Sequence, residues 1–415
     1  MRFGIHTLDD FDLAGKTVIC RVDMNQPVDR VTGKLKSSAR IRACAPTVRE
    51  LSDKGAKVVL LAHQGSDIEY KNFYTTAPHA QVLSELVGRP VEFIDDVTGP
   101  AARERICSLK CGEILLLDNV RFCSEEQTLF ETSLKLTHEQ QAKTQVVTKL
   151  APLADLYVCD AFAAAHRDQP SLCGFEEVLP SAMGRLFEQE YCTISELMEN
   201  PSHPCTFLLG GAKVADAFLM MNTVLENGSA DTILTGGLVG EIMLAARGEQ
   251  IGSQTRAFIE KEGYWGLTDK AKQLLEQYGA RIRLPIDLAT AANGIRQEAR
   301  VGQIPADFDA ADIGTDTIEA YRAEILHSTT VFMNGPVGIF EKPESEAGTR
   351  ALLETMARTK AHTVIGGGDS VTAAAKFGVS DKINYICTGG GALIRFLTGE
   401  ELPVVTALRN AAKRG

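Results

Sequence analysis

The chain has 415 residues, of which 44% are hydrophobic and 23% are charged, and its net charge at neutral pH is −11. This length exceeds what a single hydrophobic core usually organises, so we expect two or three domains. The negative charge argues against a nucleic-acid-binding protein, which usually displays a basic face. No apolar run reaches the roughly 18 residues of a membrane span, and the N-terminal residues lack the pattern of a secretory signal.

Ten cysteines are scattered along the sequence without a CxxC pair. This arrangement favours reduced thiols over a zinc site. We therefore expect a cytoplasmic protein with no membrane or nucleic-acid partner.

Short apolar runs alternate with amphipathic stretches of helical length, which is the pattern of α/β proteins with parallel sheets. The first half contains four such runs, at 16–27, 57–66, 113–122 and 155–167. The second half contains five, at 205–213, 231–238, 329–336, 362–370 and 384–391. The stretch 178–200 between the two sets predicts a long helix that ends before Pro201, and we place the domain boundary there.

The two sets of predicted strands end in different residue types. Ligands of open parallel sheets bind beyond the carboxyl ends of the strands. The first set ends in polar and basic side chains, namely Arg21, Asp23, Asn25, His63, Arg121, His166 and Arg167. The second set ends in glycines, namely Gly210 and Gly211, Gly236 and Gly237, Gly335, Gly366 to Gly368, and Gly389 to Gly391.

These endings predict two different ligands. Bare backbone N–H groups at helix N-termini suit phosphates, so the second half is expected to bind a polyphosphate. The basic groups Arg40, His63, Arg121 and Arg167 would repel one another unless a small anion lay between them. A single glycine pair would be explained as well by a tight turn, but five glycine endings in one half favour phosphate binding.

Three single residues of the second half each allow two interpretations. Asp369 could be a plain helix N-cap or a carboxylate that holds Mg²⁺ beside phosphate oxygens. Lys213 could be a solvated lysine or a point charge that reaches a transferring phosphoryl group. Glu341 could lie on a solvated face or accept hydrogen bonds from ribose hydroxyls, and spacing alone does not decide between them.

The ordered motifs of the chain resemble those of the phosphoglycerate kinase family. They are "RVDMNQPV", "ARIRACAPTV", "LLAHQG", "LLLDNVRF", "DAFAAAHR", "LGGAKV", "DIGTDTI", "NGPVGIFE", "GGGDS" and "TGGGA". The stretches "DAFAAAHRDQPSL" and "NTVLENGSADTILTGGLVG" are most similar to the archaeal branch.

The resemblance implies two Rossmann-like α/β domains with parallel sheets that face each other across a cleft and are joined by a helix and hinge. We expect a phosphoglycerate-binding domain at 1–180, a hinge helix at 181–200, a nucleotide-binding domain at 201–395, and a C-terminal segment, 396–415, that packs back on the first domain. The implied reaction is reversible phosphoryl transfer between 1,3-bisphosphoglycerate with ADP and 3-phosphoglycerate with ATP, with Mg²⁺ as cofactor. A monomer is expected, with a dimer left open.

The resemblance also implies roles for individual residues. The expected substrate ligands are Asp23, Asn25, Arg40, His63, Arg121 and Arg167. The expected nucleotide ligands are Lys213, Asn334, Glu341, Gly367, Gly368, Asp369 and Ser370, with Asp369 on the magnesium. The expected catalytic groups are Arg40, Lys213, Gly389, Gly390 and Gly391.

Three positions depart from the common form of the family, namely Ser66, Cys159 and Ala217, and the first matters most. The arginine expected after "HQG" is Ser66, so one positive charge near the substrate is missing. Arg121 and Arg167 could suffice without it, or Lys71 could replace it. The alternative is a paralogous ATP-dependent kinase that acts on a related phospho- or phosphono-carboxylate.

Overall fold

A computed structural model describes residues 1–29, 31–65, 73–291 and 294–414. Its contacts divide the chain into two compact units. The first unit comprises Met1–Thr193 together with Glu401–Gly415, and the second comprises Ile194–Glu400. Each unit is built around its own six-stranded parallel sheet.

The first unit contains six strands in the order β3-β4-β2-β1-β5-β6. They are β1 (Thr17–Val22), β2 (Lys57–Leu61), β3 (Val91–Ile94), β4 (Ile114–Leu117), β5 (Leu156–Asp160) and β6 (Ser181–Met183). The helices are α1 (Ala39–Asp53), α2 (Ala77–Val87), α3 (Pro100–Ser108), α4 (Thr128–Leu134), α5 (His138–Gln141), α6 (Gln145–Leu150), α7 (Pro170–Cys173) and α8 (Arg185–Glu199). The last of these begins in the first unit and ends in the second.

The central strands of this sheet are continuous apolar runs because both of their faces are covered. Every residue of β1, β4 and β5 is buried. Helix α1 presents Ile41, Cys44, Val48 and Leu51 to the same core at the spacing of one helical face. Burial of this apolar surface is the main force that fixes the loops at the strand ends.

The second unit contains a parallel sheet in the order β15-β14-β13-β7-β8-β9 and a small antiparallel sheet in the order β11-β10-β12. The strands are β7 (Cys205–Leu209), β8 (Thr232–Thr235), β9 (Ile282–Arg283), β10 (Asp287–Thr290), β11 (Gln297–Arg300), β12 (Asp312–Ile313), β13 (Thr330–Asn334), β14 (His362–Gly366) and β15 (Tyr385–Ile386). The helices are α9 (Val214–Glu226), α10 (Gly237–Ala246), α11 (Ser253–Lys261), α12 (Thr268–Tyr278), α13 (Thr315–His327), α14 (Ala347–Met356), α15 (Gly368–Lys376) and α16 (Gly391–Leu397).

The last helix, α17 (Pro403–Arg414), belongs to the first unit. Its apolar face, which includes Val404 and Leu408, is buried. The Arg409 guanidinium donates a hydrogen bond to the Tyr191 hydroxyl at 2.7 Å. These contacts hold the end of the chain against the unit in which the chain begins.

All nine predicted apolar runs contain a strand, which confirms the parallel α/β assignment. The prediction of one helix over 178–200 is wrong in its first part, because residues 181–183 pair with β5 and the helix begins only at Arg185. Sequence patterning also misses β3, β9 and the antiparallel sheet. These are strands of two to four residues, too short to show a period.

Each parallel sheet has one point at which the strand order reverses. In the first unit this point is at β1, which lies between β2 and β5. In the second unit it is at β7, which lies between β8 and β13. Crevices beyond the carboxyl ends of the strands at such points are the usual ligand sites of open α/β sheets.

Among the helices of the described residues, none is both long enough and apolar enough to traverse a lipid bilayer.

Candidate active site

The loop after β1 carries two of the predicted substrate ligands. Asp23 is buried, and its two carboxylate oxygens accept hydrogen bonds from the Asn25 amide at 3.0 Å and from the Arg40 guanidinium at 2.8 Å. The Asn25 side chain accepts a hydrogen bond from the Gly65 amide at 3.1 Å, which ties the loop after β1 to the loop after β2. The Arg40 side chain is 44% exposed, so its guanidinium can still reach a ligand.

His63 follows β2 and is buried among arginines. Burial first, and then the charges of Arg121, Arg21, Arg40 and Arg167, hold the pKa of His63 well below its usual value. Nη2 of Arg21 lies 3.0 Å from Nδ1 of His63. Because a guanidinium can only donate, Nδ1 accepts, and the neutral ring carries its proton on Nε2.

Arg21 is a structural residue and not a ligand at the strand end. It is 1% exposed, and its Nε donates to the Ser171 hydroxyl at 3.0 Å. That hydroxyl in turn donates to the buried Glu126 carboxyl at 2.6 Å. The chain of contacts from Glu126 through Ser171 and Arg21 fixes the position of the His63 ring.

Arg121 and Arg167 lie beyond the ends of β4 and β5. The Arg121 guanidinium donates to the Gly65 carbonyl, and its backbone amide donates to the Asn119 side chain at 3.1 Å. The Arg167 guanidinium donates to the Thr128 hydroxyl at 3.1 Å and lies 3.6 Å from the Glu131 carboxylate. Arg121, Arg167 and Arg40 all contribute positive charge that lowers the pKa of His63.

The sequence interpretation overlooked Gln64, which links three loops of this site and helix α2. Its side chain accepts from the Gln26 amide at 3.0 Å and from His79 at 2.9 Å, and it donates to the Gln26 carbonyl at 2.8 Å. Its backbone exchanges hydrogen bonds with the Asn119 side chain. The position of Gln64 directly after His63, where a strand ends, was the available signal.

A cavity of about 560 Å³ opens at this edge of the first unit. Of the predicted substrate ligands, Asn25 and Arg40 line it, together with Lys36, Gln64, Gly65 and Tyr74. Ser66 and Lys71, on which the alternative substrate depends, lie outside the described residues.

In the second unit, the glycines at the ends of β7 and β8 do not offer bare N–H groups. The amides of Gly210 and Gly211 donate to the carbonyls of Asn334 and Pro336, at 3.0 and 2.7 Å, and the Gly237 amide donates to the Val337 carbonyl at 2.9 Å. A Cβ atom on Gly210 would lie 2.3 Å from the Pro336 carbonyl oxygen. These glycines allow backbone to pack on backbone, so their amides are not available to a phosphate.

The first turn of α15 is exposed at two of the predicted nucleotide ligands. Gly367 precedes the helix with a φ of 83°, and Gly368 and Asp369 are exposed in the first turn. The Ser370 hydroxyl accepts a hydrogen bond from the Gly335 amide at 2.7 Å, which joins this turn to the end of β13. The amide N–H groups of a first helical turn have no partner within the helix and can receive an anion.

Two polar side chains lie beside that turn, a buried one on Asn334 and an exposed one on Asp369. Oδ1 of Asn334 is buried without a hydrogen-bond partner among the described residues, and a Cβ atom on Gly367 would lie 2.6 Å from it. The Asp369 carboxylate has no ion-pair or hydrogen-bond partner in the described part of the chain. An exposed carboxylate of this kind is the oxygen donor that Mg²⁺ prefers.

Further predicted residues lie at or near the ends of other elements of the second unit. Lys213 is exposed immediately before α9. Glu341 is exposed, and its backbone carbonyl accepts from Lys376 at 3.4 Å. Gly390, with a φ of 52°, precedes α16, whose first residue is Gly391.

A second cavity, of about 400 Å³, lies at this edge of the second unit. Of the predicted nucleotide ligands, Glu341 and Asp369 line it, beside backbone at Gly211 and Gly237 and the apolar side chains of Leu238, Phe258, Ile339 and Phe340. The first cavity is lined by the cationic side chains of Lys36 and Arg40. The second is lined by apolar side chains together with Asp369 of the first turn of α15.

The profile of the family described as phosphoglycerate kinase matches residues 8–400. The chain is 46% identical over 409 residues to the phosphoglycerate kinase of Methanothermobacter thermautotrophicus. The aligned region covers 99% of this chain and 98% of the relative. The chain is 45% identical over 415 residues to the phosphoglycerate kinase of Methanobacterium bryantii, and the aligned region covers both chains completely.

Solved structures give the same result. The crystal structure of phosphoglycerate kinase from Pyrococcus horikoshii superposes with a TM-score of 0.87 at 38% identity, over 99% of this chain and 100% of that one. The structure of phosphoglycerate kinase from Coxiella burnetii superposes with a TM-score of 0.84 at 27% identity, over 98% and 100%. Motifs, fold and full-length similarity agree, and the chain belongs to the phosphoglycerate kinase family.

Proposed function

We propose that this chain transfers a phosphoryl group reversibly between 1,3-bisphosphoglycerate with ADP and 3-phosphoglycerate with ATP, as a phosphotransferase with a carboxyl acceptor. The observation that carries the proposal is the buried His63 among four arginines. Asp23 and Glu131 offset part of this positive charge, and an anionic ligand would offset more of it. A small acid with both a carboxylate and a phosphate is such a ligand.

In this proposal the first unit binds the phosphoglycerate. Neutral His63 supplies an N–H donor, and the guanidinium groups supply the paired donors that suit carboxylate and phosphate. Asp23 orients Arg40 through their 2.8 Å contact. The substrate ligands are Asp23, Asn25, Arg40, His63, Arg121 and Arg167.

The second unit binds the nucleotide. The open first turn of α15 receives phosphate oxygens, and Asn334 and Glu341 contact the nucleoside. The nucleotide ligands are Lys213, Asn334, Glu341, Gly367, Gly368, Asp369 and Ser370.

Asp369 would hold magnesium, for which its unpartnered carboxylate is suited. Bound there, Mg²⁺ would offset the negative charge of the phosphate groups.

The acid substrate is already a competent nucleophile because its carboxylate is ionised at neutral pH. Catalysis therefore requires no general base, and the protein contributes in-line positioning and stabilisation of the transferring charge. Arg40 and Lys213 supply positive charge, and the amides of Gly389, Gly390 and Gly391 receive the transferring group. Two ligands on separate units must meet, so we propose that the units close on each other about the α8 region.

The proposal extends to the setting of the enzyme. The ten free cysteines support a reducing compartment, and we place the protein in the cytoplasm as a monomeric enzyme of glycolysis or gluconeogenesis that acts on small molecules only.

The experiment is a coupled assay of ATP turnover with 3-phosphoglycerate, run beside other phospho- and phosphono-carboxylates. We expect 3-phosphoglycerate to be the best acceptor and Asp369→Asn to lower the magnesium-dependent rate on the order of 100-fold or more, because a carboxylate that holds the metal is lost. Asp381→Asn, at an exposed aspartate without a hydrogen-bond or ion-pair partner among the described residues, is the matched control and should retain the rate. Full activity of Asp369→Asn, or a clear preference for another acid, would contradict the respective assignment.

A further inference from the structure

Glu241 is a buried acidic side chain on the wall of the second cavity that the proposed reaction does not use. It lies in the second turn of α10, and the residue is 7% exposed. Most of the side chains around the cavity are apolar, including Leu238, Phe258 and Ala310. Glutamate is almost never buried in such surroundings unless it is paired.

The Glu241 carboxyl has no hydrogen-bond or ion-pair partner among the residues that the structure describes. The Thr255 hydroxyl on the same wall is satisfied, because it accepts from the Ala310 amide at 2.8 Å. Asp309, the other acid of the wall, is exposed to solvent. The carboxyl oxygens of Glu241 are not closed off inside the protein, so they are available to a ligand that enters the cavity.

The protonation state of Glu241 defines what that partner offers. Burial first, and then the charge of Asp309, raise the pKa of Glu241 to about 8. The carboxyl is therefore protonated at neutral pH and presents one O–H donor beside one carbonyl acceptor. Adenine presents the complement, because its exocyclic N6 amine donates beside a ring nitrogen that accepts.

We propose that Glu241 is a specificity-determining residue of the nucleotide site, where its carboxyl hydrogen bonds the 6-amino group and an adjacent ring nitrogen of a purine base. The apolar walls at Leu238, Phe258 and Ile339 would enclose the faces of the base, and Glu241 would supply the polar contact to its edge. The inference rests on the proposed function, because it requires the nucleotide to occupy this cavity.

The test compares equilibrium binding of ADP with that of purine riboside 5′-diphosphate, which lacks the 6-amino group. The wild type should bind ADP about five- to tenfold more tightly than the analogue, the ratio of one net hydrogen bond. Glu241→Leu should bind both ligands equally. Glu241→Gln should keep most of the preference, because an amide also offers one donor and one acceptor.

The matched control is Glu276→Leu, the same change at an exposed glutamate of α12, which should keep the wild-type ratio. Glu241→Leu replaces an unpaired buried acid with an apolar side chain, so it should fold at least as stably as the wild type. Equal ratios in the wild type and in Glu241→Leu, with ADP binding intact, would overturn the role of Glu241 alone. Failure of the wild type to bind either nucleotide would overturn this inference together with the proposed nucleotide site.

Discussion

At the scale of single residues, burial separates arginines that hold the structure from those that can hold a ligand. Arg21 is fully buried and is used by His63, Ser171 and the Val22 carbonyl. Arg40 is nearly half exposed and, among the residues that the structure describes, makes one ion pair, with Asp23. Arg21 and Arg40 both belong to motifs that the sequence analysis singled out, but only the structure shows that Arg40 is the one that lines the cavity.

Replacing Arg40 with alanine should slow the chemical step without weakening the nucleotide site. We expect kcat to fall on the order of 100-fold, because a cation that stabilises transferring charge is lost, while the Kd for ADP stays within about twofold. Arg42→Ala removes a neighbouring exposed arginine of α1 and should leave kcat unchanged. Steady-state kinetics with ADP titrations measures both quantities, and a normal kcat for Arg40→Ala would remove its catalytic role.

We expect His79 of helix α2 to make the stability of the first unit depend on pH in the acidic range. Burial lowers its pKa from 6.5 to about 4, and its Nε2 contacts the Gln64 side chain at 2.9 Å. As the pH falls, His79 is therefore protonated in the unfolded chain at a higher pH than in the folded chain. The stability contributed by neutral His79 is present above pH 6.5 and is lost as the pH falls toward 4, by about 3 kcal/mol in total.

His79→Gln should flatten this dependence, because glutamine retains an N–H donor and does not titrate. Hydrogen exchange of the β2 and β4 peptides, measured between pH 6.5 and 4, reports the local free energy of opening. His362→Gln, at an exposed histidine, should leave the wild-type slope in place. An unchanged slope in His79→Gln would show that another group is responsible.

At the scale of elements, the ends of β7, β8 and β13 form one interlocked backbone layer. Gly335 has a φ of 88°, and a Cβ atom there would lie 2.2 Å from the Gly210 carbonyl oxygen. Gly248 has nearly the same φ, 89°, but a Cβ atom there would meet nothing within 4 Å. The two positions share the cost of a left-handed conformation and differ only in packing.

Gly335→Ala should therefore destabilise the second unit by about 2 kcal/mol or more beyond the effect of Gly248→Ala. Trp265 is the only tryptophan of the chain and lies in the second unit, so its fluorescence during urea unfolding follows that unit. Equal losses of unfolding free energy in the two variants would contradict this prediction, because the backbone around Gly335 would then accommodate a methyl group.

The same elements show how far sequence reasoning extends. Long buried strands such as β1 and β7 are predictable because both faces must be apolar, whereas β9, with two residues, carries no such signal. The sequence predicts where the strand ends with possible ligand groups lie. It does not predict which backbone N–H groups at those ends are already hydrogen bonded within the protein. Gly211 and Gly368 look alike in sequence, and only the path of Pro336 in space shows that the Gly211 amide is occupied.

At the scale of the whole molecule, the two units repeat one architecture with different strand ends. Each has a six-stranded parallel sheet and a cavity at its polar edge. The first edge is rich in guanidinium groups, and the second combines apolar walls with an open helix terminus. The proposed division of ligands between units follows from that difference and remains a prediction, as does the closure of the units on each other.

The most direct test of that division is a crystal structure of the full chain with 3-phosphoglycerate and a non-hydrolysable Mg–ATP analogue. We predict the acid against Arg40, His63 and Arg121, and the analogue's phosphates against residues 367–370. Both ligands within one unit, or a nucleotide bound away from that turn, would contradict the account.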